Sequence, residues 1–244
     1  MDPQSTLIAP ANPPAPNAAL ASLLATPELS VMGQGYAARV TAVQAQRHRE
    51  VILAHPGEAH KDFLRSAVST KLLAGPFHHQ LFVYCAHSPL ALLDVTAAIA
   101  QAGGSIYNIF LFPRTDGSLL IECAFVLRGR EREELEKIAP ALGEIFRLAR
   151  KPHAGKCEPV RDLEITSDPK DPAVIHLRAA DTQGLLYRVV RAFVVLGLRI
   201  QWADVRTLAG RAVDSFSITN RQGKAVDWSA TLPDLLAEIR QGTD

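Results

Sequence analysis

Ala180-Asp181-Thr182-Gln183-Gly184-Leu185-Leu186 joins an apolar run at 174–179 to a helical pattern at 184–196, and Ala86-His87-Ser88-Pro89-Leu90-Ala91-Leu92 stands in the same setting earlier in the chain. Around each copy the texture repeats. In the first, the continuous apolar run 81–85 reads as a buried strand. A helix at 90–102 carries Leu93, Ala97 and Ala100 on one stripe and stops at Gly103-Gly104. Strand-like runs at 106–113 and 119–127 flank Arg114-Thr115-Asp116-Gly117, where Asp-Gly between apolar runs is a hairpin signal. Leu135, Ile138, Leu142, Ile145 and Phe146 then predict an amphipathic helix over 131–150. In the second copy a strand at 174–179, a helix ending at Gly197, strands at 200–207 and 212–219 around Ala209-Gly210, and a helix at 232–239 follow in the same order.

The overlay extends residue by residue. Ala102-Gly103-Gly104-Ser105-Ile106 lies over Leu196-Gly197-Leu198-Arg199-Ile200, and Glu122-Cys123-Ala124-Phe125-Val126 over Asp214-Ser215-Phe216-Ser217-Ile218, at a spacing of about 92 to 94 residues. That is too long for a solenoid repeat and suits a duplicated small domain. The expected class is α+β, with two split βαβ, ferredoxin-like βαββαβ units in tandem. Residues 160–165 are expected to supply the first unit's fourth strand, and the second unit is expected to lack its last strand and to pair its open edge with a neighbour.

Outside the duplication, six prolines among alanines and small polar residues up to Pro27 predict a disordered tail over 1–30. Val40, Val43, Val51, Leu53, Phe63, Leu64, Val68 and Leu72 predict a helical segment over 31–75, broken at His55-Pro56-Gly57. The first unit then covers 76–167 and the second 168–244. Over all 244 residues the formal net charge is +1, with 48% hydrophobic and 21% charged residues. So neutral a chain does not read as a nucleic-acid or membrane-surface binder, which would need surplus Lys and Arg. No window approaches the roughly 18 apolar residues of a membrane span, and the first residues lack the order of a signal peptide, so the expected location is cytoplasmic. The three cysteines, Cys85, Cys123 and Cys157, suit neither a disulfide framework nor a metal knuckle, and read as reduced thiols.

Asp181-Thr182-Gln183-Gly184-Leu185-Leu186, the following helix, Leu196-Gly197-Leu198-Arg199-Ile200, and Gly210-Arg211-Ala212-Val213-Asp214-Ser215-Phe216 resemble the ACT-domain pattern D-x-P-G-L-L, helix, G-x-x-I, G-x-x-x-D-x-F. The tandem over about residues 78–240 is most similar to the C-terminal regulatory region of bacterial PII uridylyltransferase/uridylyl-removing enzymes. In that family paired ACT domains sense glutamine and switch two catalytic domains. His87 and Leu90 replace the pattern's Asp and Gly in the first copy, and Gln183 its Pro in the second.

The resemblance implies an amino-acid site at Asp181, Thr182, Gln183, Gly184, Leu185, Arg199 and Ile200, with His87, Ser88, Leu90, Ser105 and Ile106 as the counterpart. The chemistry of the loop agrees. First-turn amides at a strand-to-helix junction suit a carboxylate, Asp181 can accept from an α-amino group, and Gly184 admits a close approach. Capping of the helix by Asp181 alone, and of the other by Ser88 with Pro89 in the first turn, are the competing readings.

Catalytic signatures are missing from the sequence. Neither Gly104-Ser105 nor Gly117-Ser118 is followed by an Asp-x-Asp that could hold magnesium against a triphosphate, and there is no His-Asp dipeptide. The spacing in His55-Pro56-Gly57-Glu58-Ala59-His60 is not H-E-x-x-H. His78-His79 and His87 read as surface histidines, and Gly33-Gln34-Gly35-Tyr36-Ala37-Ala38 as a turn entering a helix rather than a dinucleotide loop. No catalytic residue, metal or cofactor is expected. The expected function is a regulatory sensor of a small amino acid, glutamine first, in nitrogen or amino-acid metabolism. The alternative is a split or remnant regulatory part of a uridylyltransferase-like nucleotidyltransferase, acting by protein contact. Expected partners are the amino acid, a nucleotidyltransferase or PII-type protein, and a second copy through the sheets.

Overall fold

The computed structural model describes residues 18–33, 35–54, 69–73, 78–88, 90–127, 138 and 157–241. Four short helices come first: α1 (Ala18–Leu24), α2 (Pro27–Ser30), α3 (Tyr36–Arg39) and α4 (Ala42–Leu53). β1 (Ser69–Leu73) and β2 (His79–Ala86) lead into α5 (Ala91–Gln101), β3 (Gly104–Pro113) and β4 (Ser118–Leu127). β5 (Glu164–Ser167) and β6 (Val174–Ala180) lead into α6 (Leu185–Val195), β7 (Arg199–Leu208), β8 (Arg211–Thr219) and α7 (Trp228–Gln241).

The molecule is α+β, with one antiparallel sheet of eight strands in the order β1-β2-β4-β3-β7-β8-β6-β5. The two halves read outward from the centre in the same order, so the sheet is pseudo-symmetric about the β3–β7 seam. That seam is short, with Asn108, Ile109 and Phe110 opposite Arg206, Val205 and Asp204. Alternation decides what each strand buries. Leu81, Val83, Ile109, Ile121, Leu177, Ala203 and Phe216 point to one face, where they form a continuous core with α5, α6 and α7. Phe82, Tyr84, Phe112 and Leu120 point to the other, under α1 to α4. Almost every side chain of α5 is buried, consistent with its run of alanine, leucine, valine and isoleucine, whereas α6 keeps one apolar stripe.

Several expectations change here. The strand anticipated at 160–165 as the closing strand of the first unit is β5 at Glu164–Ser167, and it pairs antiparallel with β6, Ile165 opposite Leu177. The second unit therefore has its fourth strand. The turn at 168–173, held by Asp168 accepting the Lys170 and Asp171 amides, makes β5 and β6 a hairpin, the cheapest partner by chain entropy. The corresponding edge of the first unit is occupied by β1, which falls where the sequence suggested helix. Within the span read as a disordered tail, residues 18–24 and 27–30 are helical, because Leu20 and Leu29 are buried against the outer face of the sheet. His79, expected at the surface, is 7% exposed and packs on Phe125. His78 and His79 lie at the start of β2 and His87 just past its end, so they do not converge. The remainder of the tail, His55 to His60 and the helix expected over 131–150 lie outside the described residues, apart from Ile138, which is helical and buried.

Strand pairing also corrects the overlay. Val83 faces Ile121 and Leu177 faces Asp214, so Asp214 matches Ile121 and Ser215 matches Glu122, one residue away from the sequence alignment.

Candidate functional site

Two clefts flank the seam, each built from both units. In the first, the loop after β6 meets the beginning of β3. Asp181, Thr182, Gly184 and Leu185 line it together with Ser105 and Ile106, and Asp214 reaches it from β8. In the second, the loop after β2 meets the beginning of β7, with His87, Ser88 and Leu92 opposite Arg199, Ile200 and Gln201. The residues nominated in sequence thus divide between two sites. Arg199 and Ile200 do not accompany Asp181; they face the other unit's loop, as Ser105 and Ile106 face Asp181.

The Asp181 cleft is narrow. Its free volume is about 20 Å³, room for about one water. Ser105 donates its hydroxyl to the Asp181 carboxylate at 3.3 and 3.4 Å, a bond that ties the loop of one unit to the strand of the other. Gln183 spans the same boundary by donating to the Ala100 carbonyl at 3.2 Å. The helix cap is Gly184, with φ 79°, and it has no side-chain cap, so Asp181 does not act as the N-cap residue. A Cβ at Gly184 would run into the Sγ of Cys157, so glycine is required both for the left-handed turn and for the space. The Thr182 hydroxyl is buried without a hydrogen-bond partner among the described residues.

Asp214 is one of the lining residues that the sequence reading left out. Ala212, Asp214 and Phe216 share the inner face, so strict alternation between two apolar residues was the signal that would have placed it inside. Burial pushes its carboxyl up to about 7, Asp181 and Asp204 push the same way, and the Arg206 amide hydrogen bond at 3.2 Å opposes them.

The second cleft is roomier, about 380 Å³. Ser88 accepts the Leu90 amide at 3.1 Å and sets the turn into α5, whose cap Leu90 is right-handed, with φ −87°. His87 is held below the usual imidazole range by burial and by the nearby Arg199 guanidinium. No group of three or more His, Cys, Asp or Glu side chains able to hold a metal occurs among the described residues. On the uncovered outer face, His176 stands between Ser215 (2.9 Å) and Asp168 (3.1 Å).

The class defined by this geometry is an α+β sheet protein with paired clefts between two like units. No family model matches the chain. It is similar to the bifunctional uridylyltransferase/uridylyl-removing enzyme of Bradyrhizobium diazoefficiens, 28% identical over 165 residues, 61% of this chain and 18% of the relative. The enzyme of the same name from Rhodopseudomonas palustris is 27% identical over 182 residues, 66% of this chain and 19% of the relative. That from Streptomyces coelicolor is 46% identical over 50 residues, 20% of this chain and 6% of the relative. The chain thus resembles part of these enzymes and spans less than a fifth of their length. No helix among the described residues is long and apolar enough to cross a membrane.

Proposed function

We propose that this chain is a non-catalytic regulatory sensor, a tandem of ferredoxin-like ACT domains that binds a small amino acid, glutamine first, at the Asp181–Gly184 loop and acts in nitrogen or amino-acid metabolism in the cytoplasm. The observation that supports the reading is the hydrogen bond from Ser105 to Asp181, which ties the Asp181–Gly184 loop of one unit to the strand of the other. A ligand whose ammonium group takes the Asp181 carboxylate, and whose carboxylate takes the first-turn amides of α6, replaces that bond and opens the cleft. Binding at one loop thereby changes the contact between units, which is the differential interaction that a regulatory response needs. The similarity to part of uridylyltransferase/uridylyl-removing enzymes supports such a role, with a nucleotidyltransferase or PII-type protein as the partner that reads the change.

Isothermal titration of the twenty amino acids tests this. Heat with glutamine or another small amino acid, abolished in Asp181→Asn, is expected, with a rise in melting temperature at saturation. Flat titrations throughout reject the sensor. A second reading then stands, favoured by the 20 Å³ volume of the Asp181 cleft: a regulatory part that works by protein contact without a ligand. Co-purification with a nucleotidyltransferase or PII-type protein, beside flat titrations, is its expected result.

A further inference from the structure

The two clefts occupy equivalent places and have opposite chemistry. Where the first has Asp181, the second has His87; where the first has Ser105, the second has Arg199; and the position of the buried Asp214 is taken in the first unit by the apolar Ile121. Among the described residues the second cleft therefore has an imidazole and a guanidinium and no acidic side chain in its lining, while the first has two carboxylates. Its volume of about 380 Å³ falls in the range of small-molecule pockets, roughly 300–1,000 Å³. Its apolar wall consists of Leu92, Leu111, Leu119 and Ile200, the first three of them 3 to 5% exposed. Arg199 makes no ion pair among the described residues, so its guanidinium is available at the mouth.

We infer that the cleft between His87 and Arg199 binds an organic carboxylate with an apolar body and no ammonium group. The planar guanidinium of Arg199 matches a carboxylate in a two-bond fork, and His87 stands beside it as a further donor. The aliphatic or aromatic body lies against Leu92, Leu111, Leu119 and Ile200, out of water. An α-ammonium group is disfavoured by charge: it would face the Arg199 guanidinium with no carboxylate among the described lining residues to neutralise it, and like charges that close repel.

The inference goes beyond the amino-acid reading and does not need it, because the residues are different. The test is calorimetric titration of the full chain with 4-methyl-2-oxopentanoate, leucine, hexanoate and inorganic phosphate. Leucine and 4-methyl-2-oxopentanoate share a carbon skeleton and differ at the α position, ammonium against oxo. Both acids without an amine are expected to bind at least about tenfold more tightly than leucine, and Arg199→Ala to lose at least about tenfold of that affinity. Asp181→Asn, which abolishes any amino-acid site at the other loop, is expected to leave it unchanged. Arg199 is exposed, so the variant keeps its fold, with melting temperature as the check. Leucine binding as tightly as its oxo acid, phosphate binding as tightly as the carboxylates, silence with every acid, or full affinity in Arg199→Ala would each overturn the inference.

Discussion

On the outer face of the first unit, Phe82, Tyr84, Phe112 and Leu120 lie beneath the N-terminal helices, with Tyr36 edge-on to Phe112 at 5.1 Å. The second unit has His176 at the position of Phe82 and Ser215 at that of Glu122, both half-buried, with His176 bonded to Ser215 and to Asp168. Glu122 is 6% exposed and accepts from the fully buried His48, whose other nitrogen accepts the Tyr36 hydroxyl at 2.7 Å. The same strand framework thus carries an apolar surface that requires a cover and a polar one that does not. Only where the outward residues are aromatic does burying four short helices return enough apolar area to offset their ordering.

The most severe test of that contrast is a matched pair of substitutions. Phe82→Ala is expected to cost about 3–5 kcal/mol, since it opens a cavity under α4, and His176→Ala, at a half-buried position outside the core, to cost about 1 kcal/mol or less. Urea denaturation measures both, and equal losses would break the comparison. Next comes the pair Asp214 and Ile121 on the inner face. Asp214 has its folded pKa raised from 3.8 to about 7, so between those values the folded state holds a proton that the unfolded chain has released. The contribution of Asp214 to stability is therefore fullest below pH 4 and is lost as pH rises through 7. Asp214→Asn is expected to flatten that slope; Asp94, also raised to about 7 by burial, leaves a residual slope of the same sign. Ile121 supplies no such slope, and an unchanged pH profile in Asp214→Asn would show that the carboxyl does not titrate with folding.

Smaller effects sharpen the picture further. Glu122→Ala strips the buried His48 of its acceptor and is expected to cost about 1–3 kcal/mol, against a few tenths of a kcal/mol for Ser215→Ala. Chemical denaturation of the two variants side by side decides it, and near-equal midpoints would mean that the buried network adds no more than the surface one. In the loops, Gly184→Ala forces a left-handed alanine against Cys157 and is expected to cost about 1–2 kcal/mol. Leu90→Ala, at the right-handed equivalent, is expected to change stability by about 0.5 kcal/mol or less. Thermal melts of this pair would show whether the two loops differ in backbone demand as well as in charge.

Much of the inner face was legible because it rests on local periodicity. The strand at 81–85, the Asp-Gly hairpin and the helix ending at Gly197 each follow from a few neighbouring residues, and each appears. β1 was not legible: Leu72 also fits a helical spacing, and only the free edge of β2 turns Ser69–Leu73 into a strand. Alternation inside Ala212-Val213-Asp214-Ser215-Phe216 could have put Asp214 in the core, but a gapped overlay shifted it by one residue and hid it. The nominated loop residues were individually identifiable. Their partition into two clefts was not, since Asp181 meets Ser105 and His87 meets Arg199 only when β3 lies beside β7.

The sequence by itself determined that one strand-helix-strand-strand-helix pattern is used twice, and that Asp181, His87, Ser105 and Arg199 stand at equivalent points of the two copies. Those facts are written in side-chain order, which sets periodicity and turn chemistry. Tertiary structure alone decided that the two sheets fuse along β3 and β7, that β5 serves the second unit, and that one cleft is acidic and narrow while the other is basic and roomy. These outcomes depend on pairing between edges distant in the chain, where register and burial, rather than any local signal, select among competing partners.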